Sequence, residues 1–168
     1  MAYPCPLMTK FARRSARVIL LDASDRLLLV RSATTQGQPD AWFTPGGGVE
    51  DGEDLASAAA RELQEETGLA ANPQDLHLVA FTSGTADLGW ASGLFRDDFF
   101  VCRVVSHEVD TAGMTEFERR QNAGHHWWTQ SELAATQETV YPNGLADLVA
   151  DLITGRLPEV PIALPWHH

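Results

Sequence analysis

The chain has 168 residues, a net charge of −11 and 44% hydrophobic residues, which suits one globular domain with a substantial core. Its acidity argues against broad contact with an extended nucleic-acid backbone, which needs positive stripes, while a short nucleotide end could still bind through metal ions. Two cysteines, Cys5 and Cys102, form no disulfide framework or metal-ligand spacing, no apolar run reaches membrane-spanning length, and the first ten residues carry two prolines and no apolar stretch, so a reducing, cytoplasmic setting is expected.

In chain order, residues 1–14 read as an arm ending in Arg13-Arg14, ahead of a domain over 15–156 and a proline-rich tail over 157–168 that packs on it. Apolar runs at 16–21 and 26–31, joined by Asp22-Ala23-Ser24-Asp25, predict a hairpin. A short strand at 41–44 leads into Pro45-Gly46-Gly47-Gly48, followed by an extended piece over 47–50 and a helix over about 54–67. Residues 76–82 predict a strand with Leu76, Leu78 and Ala80 on one face, 83–93 a loop containing Trp90, and 94–105 a long strand. Residues 110–124 read as a loop or short helix and 124–129 as a final strand. Ser131 is placed as the cap of a short helix through Ala135, and Asn143 or Gly144 as the start of a helix to Ile153. Strands on both sides of one central helix, with a second helix late, predict an α/β fold in which helices sandwich a sheet.

The central helix carries the chemistry. Leu55, Ala56, Ala59 and Leu63 form its apolar stripe, and Gly68 ends it. Glu62, Glu65 and Glu66 stand at i, i+3 and i+4, so they share a face, and Glu62 and Glu66 flank the apolar stripe. Like charges at this spacing cost about 0.2–0.5 kcal/mol per pair. Glu65 and Glu66 also occupy the last turn, where the helix dipole disfavours anions. A hard divalent cation removes both penalties. Glu50, Asp51, Glu53, Asp54 and these three glutamates, set against Arg61, hold more than half of the chain's net charge.

From Gly47 to Leu69 the residues Gly47, Glu53, Arg61, Glu62, Leu63, Glu65, Glu66, Gly68 and Leu69 match every specified position of G-x5-E-x7-R-E-U-x-E-E-x-G-U, with U apolar. The segment resembles the Nudix box, and the preceding 42–50 looks like the lead-in usual in that family. The resemblance implies a Nudix-type α/β/α sandwich with a mixed central sheet. It also implies a Mg²⁺-dependent hydrolase of a phosphoanhydride in a nucleotide or a nucleoside diphosphate linked to another group, with Mn²⁺ as a substitute. By position, Glu62, Glu65 and Glu66 would be metal ligands, with the carbonyl of Gly46 or Gly47 facing the same ion. Glu53 and Arg61 would pair to hold the loop against the helix. A small-molecule nucleotide partner follows, with neither extended nucleic acid nor membrane; many members of the family pair, so a homodimer is left open, undecided by the sequence.

Outside the box, Arg17 and Arg31 are candidates to reach phosphates, although surface ion pairs are the commoner use of such arginines. Trp42, Phe95 and Trp90 are candidates to stack on a base or ribose, set against ordinary packing. Nudix enzymes often recruit a further glutamate from a loop outside the box. Glu116 and Glu118 are the candidates, with Glu118 preferred as base or extra ligand against a surface pair with Arg119 or Arg120. Two other readings remain: a nucleotide sensor without turnover, and an isoprenoid-diphosphate isomerase, which would need a cysteine beside the diphosphate. His125 and His126 lack metal spacing, and His167-His168 is assigned no role.

Overall fold

The computed structural model describes residues 10–33 and 39–166; Cys5, His167 and His168 lie outside the described residues. The chain runs β1 (Arg13–Leu21), β2 (Leu27–Ser32), β3 (Ala41–Phe43), β4 (Gly46–Gly48), α1 (Leu55–Thr67), β5 (His77–Asp87), β6 (Ser92–Arg103), α2 (Glu116–Gln121), β7 (Asn122–Trp128), α3 (Gln130–Ala135), β8 (Thr139–Tyr141), α4 (Leu145–Ile153) and β9 (Ile162–Ala163). One mixed sheet orders the strands β8-β3-β2-β1-β6-β5-β9, with β4 added to β1 and β7 to β2.

The sandwich follows from period-2 alternation in its central strands. Ala16, Val18 and Leu20 of β1, Leu28 of β2 and Phe100 of β6 face Ala58, Ala59 and Leu63 of α1. Their neighbours Ile19, Leu21, Leu27, Leu29, Phe99 and Val101 face Leu145, Leu148, Val149 and Leu152 of α4. Leu63 is fully buried, so truncating it to alanine costs about 2–5 kcal/mol. The helix starts where Asp54 accepts from the Ser57 backbone N–H at 2.9 Å and stops at Gly68, whose φ of 76° is left-handed. Fully buried Asp98 of β6 is held by Arg14 across the parallel β1–β6 pair and by Arg96, both at 2.9 Å.

Several local expectations change. The arm ends before Arg13 and Arg14, which belong to β1 and pair with Phe95 and Arg96 of β6. The stretch expected as a loop over 83–93 is mostly ladder, Gly84 facing Phe95 and Asp87 facing Ser92. Its glycines and polar residues mimic a loop in composition, yet their backbone groups pair across the strands. Ala80 does not share a face with Leu78, because a bulge between Leu78 and Ala80 turns Ala80 into the α4-side core with Val79. Thr129, not Ser131, caps α3, since Thr129 and Glu132 form a reciprocal capping box. Strand β8, parallel to β3, has no strong pattern in the sequence. Among the described residues no helix is long and apolar enough to cross a membrane.

Candidate active site

Strands β1 and β2 pair only at Leu21 and Leu27. Beyond that point β1 takes β4 and β2 takes β3 on the edges that part, while β6 and β7 run along their other edges. A cavity of about 360 Å³ opens where they part, lined by Arg13 and Arg17 of β1, Val30 and Ser32 of β2, the β4 glycines, Glu62 and Glu66 of α1, and Glu118 of α2. That volume lies in the range of ligand pockets, roughly 300–1,000 Å³.

Arg61 organises one wall. Its Nε and Nη2 donate to the two oxygens of Glu53 at 2.9 and 3.0 Å, Nη2 donates to the Gly48 carbonyl at 3.0 Å, and Nη1 donates to Glu62 at 2.9 Å and reaches Glu65 at 3.5 Å. One guanidinium thereby ties the loop before the helix, the glycine strand and two acids of the helix together. Its hydrogen bond to Glu53 is the main reason the Arg61 pKa is raised, and the same bond lowers that of Glu53. Burial raises the Glu62 carboxyl, against the opposing pull of Arg61. A Cβ on Gly47 would lie 2.6 Å from the Glu62 carboxylate, so only glycine lets the β4 backbone approach that group.

The expected glutamates divide in two. Carboxylate oxygens of Glu62, Glu65 and Glu118 lie within 4.8 Å of one another. Glu66 turns instead to β4, where its Oε2 accepts the Gly46 N–H at 2.9 Å. Burial pushes the Glu66 carboxyl up to about 7, against the Gly46 bond and the charge of Arg17. The oxygen-only set of Glu62, Glu65 and Glu118 fits a hard divalent cation, which would offset the repulsion among the three acids. Glu118 is not paired with Arg119 or Arg120. Arg119 donates to the Met114 carbonyl and Arg120 pairs with Glu116. Glu118 closes a capping box instead, its Oε2 accepting the Thr115 N–H at 2.7 Å, and this fold-back carries it toward Glu62.

The other sequence candidates scatter. Arg17 lines the cavity, donates to the Thr44 carbonyl at 3.2 Å and stands over Phe43. Phe95 is buried in a smaller recess beside the cavity. Arg31 points the other way, pairing with Asp40 at 3.3 Å and stacking on Trp42. Trp42 does not reach the cavity as a substrate-stacking ring would. It is buried in the core against Trp128, ring centroids 5.2 Å apart, and donates to Glu138 at 2.6 Å. Alternation along β2 and β3 sends these two side chains to the face away from the cavity. Sequence reading missed Arg13, which lines the cavity two residues before Ser15; burial and the nearby charge of Arg17 lower its pKa. Its i, i+4 spacing to Arg17 on one strand face was the available signal. Cys102 lies in a separate cavity with Asp75 and His77, where burial raises its thiol, so it does not serve an isomerase reading.

The chain matches the NUDIX domain family over residues 12–151. It is 30% identical over 152 residues to an RNA pyrophosphohydrolase of Teredinibacter turnerae, covering 82% of this chain and 85% of that protein. Over a shorter stretch of 51 residues it is 55% identical to Nudix hydrolase 25 of Arabidopsis thaliana, covering 30% of this chain and 28% of that one. Among solved structures, the E. coli dihydroneopterin triphosphate pyrophosphohydrolase superposes with a TM-score of 0.61 at 16% identity, over 88% of this chain and all of that one; this likeness speaks to the fold alone. The extent of the family match and of the bacterial alignment makes this chain a member of the Nudix family and a pyrophosphohydrolase.

Proposed function

We propose that the chain hydrolyses a phosphoanhydride bond of a nucleotide, or of a nucleoside diphosphate linked to another group, with Mg²⁺ as the working cation. The observation that carries the reading is the meeting of Glu62, Glu65 and Glu118 carboxylate oxygens within 4.8 Å at the edge of a cavity that Glu62 and Glu118 line together with Arg13 and Arg17. Acidic and basic side chains lining one cleft suit a polyanion that arrives with its counter-cation.

Glu62 and Glu65 would hold the dication, oriented by Arg61. When bound, that ion supplies charge neutralisation and Lewis acidity at the anhydride. Arg13 and Arg17 take the charge on the outer phosphate oxygens, which grows on the leaving phosphate as the bridging P–O bond breaks. Glu118, brought in from a different element, accepts the proton of the attacking water. Water oxygen bonds to phosphorus, the bridging oxygen leaves with its electron pair, and two phosphate products result. The chain's acidity favours free nucleotides over extended RNA. The Teredinibacter relative's name, RNA pyrophosphohydrolase, makes the triphosphorylated 5′ end of an RNA the second reading, with contact confined to the terminal nucleotide. The cysteine usage suits a cytoplasmic enzyme.

The test is a hydrolysis screen over nucleoside triphosphates, dinucleotides, nucleotide sugars and a 5′-triphosphorylated oligonucleotide, with Mg²⁺, Mn²⁺ or chelator, read by mass spectrometry. Cleavage at an anhydride that needs the dication and falls by at least two orders of magnitude in Glu65→Gln supports the reading. Normal turnover by Glu65→Gln overturns the ligand assignment. Tight nucleotide binding without any cleavage by the native chain would favour a sensor.

A further inference from the structure

Beside the acidic cavity lies a second recess of about 110 Å³ that shares Arg13, Arg17, Phe43 and Thr44 with it. It is too small to hold a whole ligand of ordinary size, so it suits one part of a molecule whose remainder sits in the larger cavity. Aromatic rings from separate parts of the chain wall it. Phe43 and Tyr141 form one pair, centroids 5.3 Å apart and tilted by 36°; Phe95 and Trp166 form another, 6.4 Å apart and tilted by 32°. Trp166 is the ring that local sequence does not foretell. It comes from the C-terminal tail, which β9 fixes by parallel pairing with β5 and by the Leu164 N–H bond to the Phe81 carbonyl at 2.9 Å. Its ring lies flush against Gly84, where a Cβ would meet it at 2.3 Å. The polar lining includes Asp97, an acceptor 3.8 Å from Arg17. Thr44, at the junction of the two cavities, is buried, and its hydroxyl has no hydrogen-bond partner among the described residues.

We propose that this recess seats the planar heterocyclic base of the substrate, with Trp166 as one wall, so that the C-terminal tail sets which nucleotides the chain accepts. Flat rings offer a base a stacking surface, and Asp97 favours an edge that bears N–H donors. Arg13 and Arg17, common to both cavities, then lie between base and phosphates. The inference rests on the acidic cavity being the phosphate site.

The experiment uses the full chain, Trp166→Ala, Trp166→Phe and Gly84→Ala, whose added methyl displaces the Trp166 ring. Each is titrated by calorimetry, with Ca²⁺ in place of Mg²⁺, against the four nucleoside triphosphates and against ribose 5-triphosphate, which lacks a base; turnover of the same compounds with Mg²⁺ is measured beside it. The native chain should bind at least one nucleotide more tightly than ribose 5-triphosphate by roughly 5- to 150-fold, the worth of stacking one base. Trp166→Ala and Gly84→Ala should lose most of that preference through KM, with little change in kcat. Trp166→Phe should restore much of it, and binding of ribose 5-triphosphate should not move. Equal weakening toward both kinds of ligand, or a native chain without preference for a base, overturns the proposal. Base-dependent binding lost in Trp166→Ala but without cleavage would leave the recess standing and sink the hydrolase reading. Cleavage with a base preference indifferent to Trp166 would do the reverse.

Discussion

Arg61 holds Glu53 by two parallel hydrogen bonds, Nε to Oε1 at 2.9 Å and Nη2 to Oε2 at 3.0 Å. Lysine cannot reproduce this fork, because an ammonium is a single point of charge. Arg61→Lys should therefore keep the charge and lose the alignment of Glu62, Glu65 and the Gly48 carbonyl. The expected outcome is a fall of about 10- to 100-fold in activity or metal affinity, the usual effect of removing a group that orients ligands. Steady-state kinetics across a Mg²⁺ titration checks it, and unchanged kinetics would show that the fork is ornamental to turnover.

Glu118 does two things at once, which a single substitution can separate. Glutamine serves in a capping box as glutamate does, so Glu118→Gln should retain the Thr115 cap and the thermal midpoint while losing the negative charge that faces Glu62 and Glu65. Turnover should fall by about 10²- to 10⁴-fold, the range ascribed to a positioned proton acceptor. Thr115→Ala should show the opposite pattern, a loss of about 1 kcal/mol in stability with much smaller change in kcat.

A methyl group on Gly47 would collide with the Glu62 carboxylate. Because Arg61 already pins that carboxylate at 2.9 Å, it has little room to yield. Gly47→Ala should weaken dication binding by tenfold or more, read by calorimetry with Mn²⁺, while near-native circular dichroism shows that the fold persists.

The acid limb of stability should carry a signature from Asp22. Burial alone would raise this carboxyl, but hydrogen bonds from the Arg26 backbone, the Arg26 guanidinium and the Ser24 backbone bring it below its usual value. A carboxyl with a lowered folded pKa stabilises fully above its unfolded value, about 3.9. That contribution fades as pH falls through the folded value. Asp22→Asn should thus be less stable than the native chain at pH 7 by about 1 kcal/mol, and the gap should close on acidification below pH 4. Urea unfolding at pH 7, 5 and 3 checks it; a gap that stays constant or widens toward acid would contradict the assignment.

The site was legible in the sequence where spacing along one helix decides position. Glu62, Glu65, Arg61 and Glu53 meet because three or four residues make a helical turn, and one loop brings the fourth. The sheet's double-sided core follows from a different spacing, the period-2 alternation that lets β1 and β6 feed apolar residues to both faces. What stayed hidden depends on distant pairing. Nothing local tells that Arg31 and Trp42 turn from the cavity, because that is set by the register of β2 against β3. Nor does anything local show Trp166 arriving at Gly84, since β9 is two residues long and is defined only by its partner. The bulge that reverses Ala80 is likewise a property of a strand pair.

The parting of β1 and β2 separates two sets of residues. Glu62, Arg61 and the β4 glycines answer to the helix and to β1, whereas Tyr141, Trp166 and the turn between β5 and β6 touch the aromatic recess from separate, peripheral segments. If the recess seats the base as proposed, bond-breaking and selection are mounted largely on different stretches of chain, joined by Arg13, Arg17, Phe43 and Thr44. On the proposed reading, a change at Trp166 or at Leu88 would alter which base is accepted while leaving Glu62 and Arg61 in place.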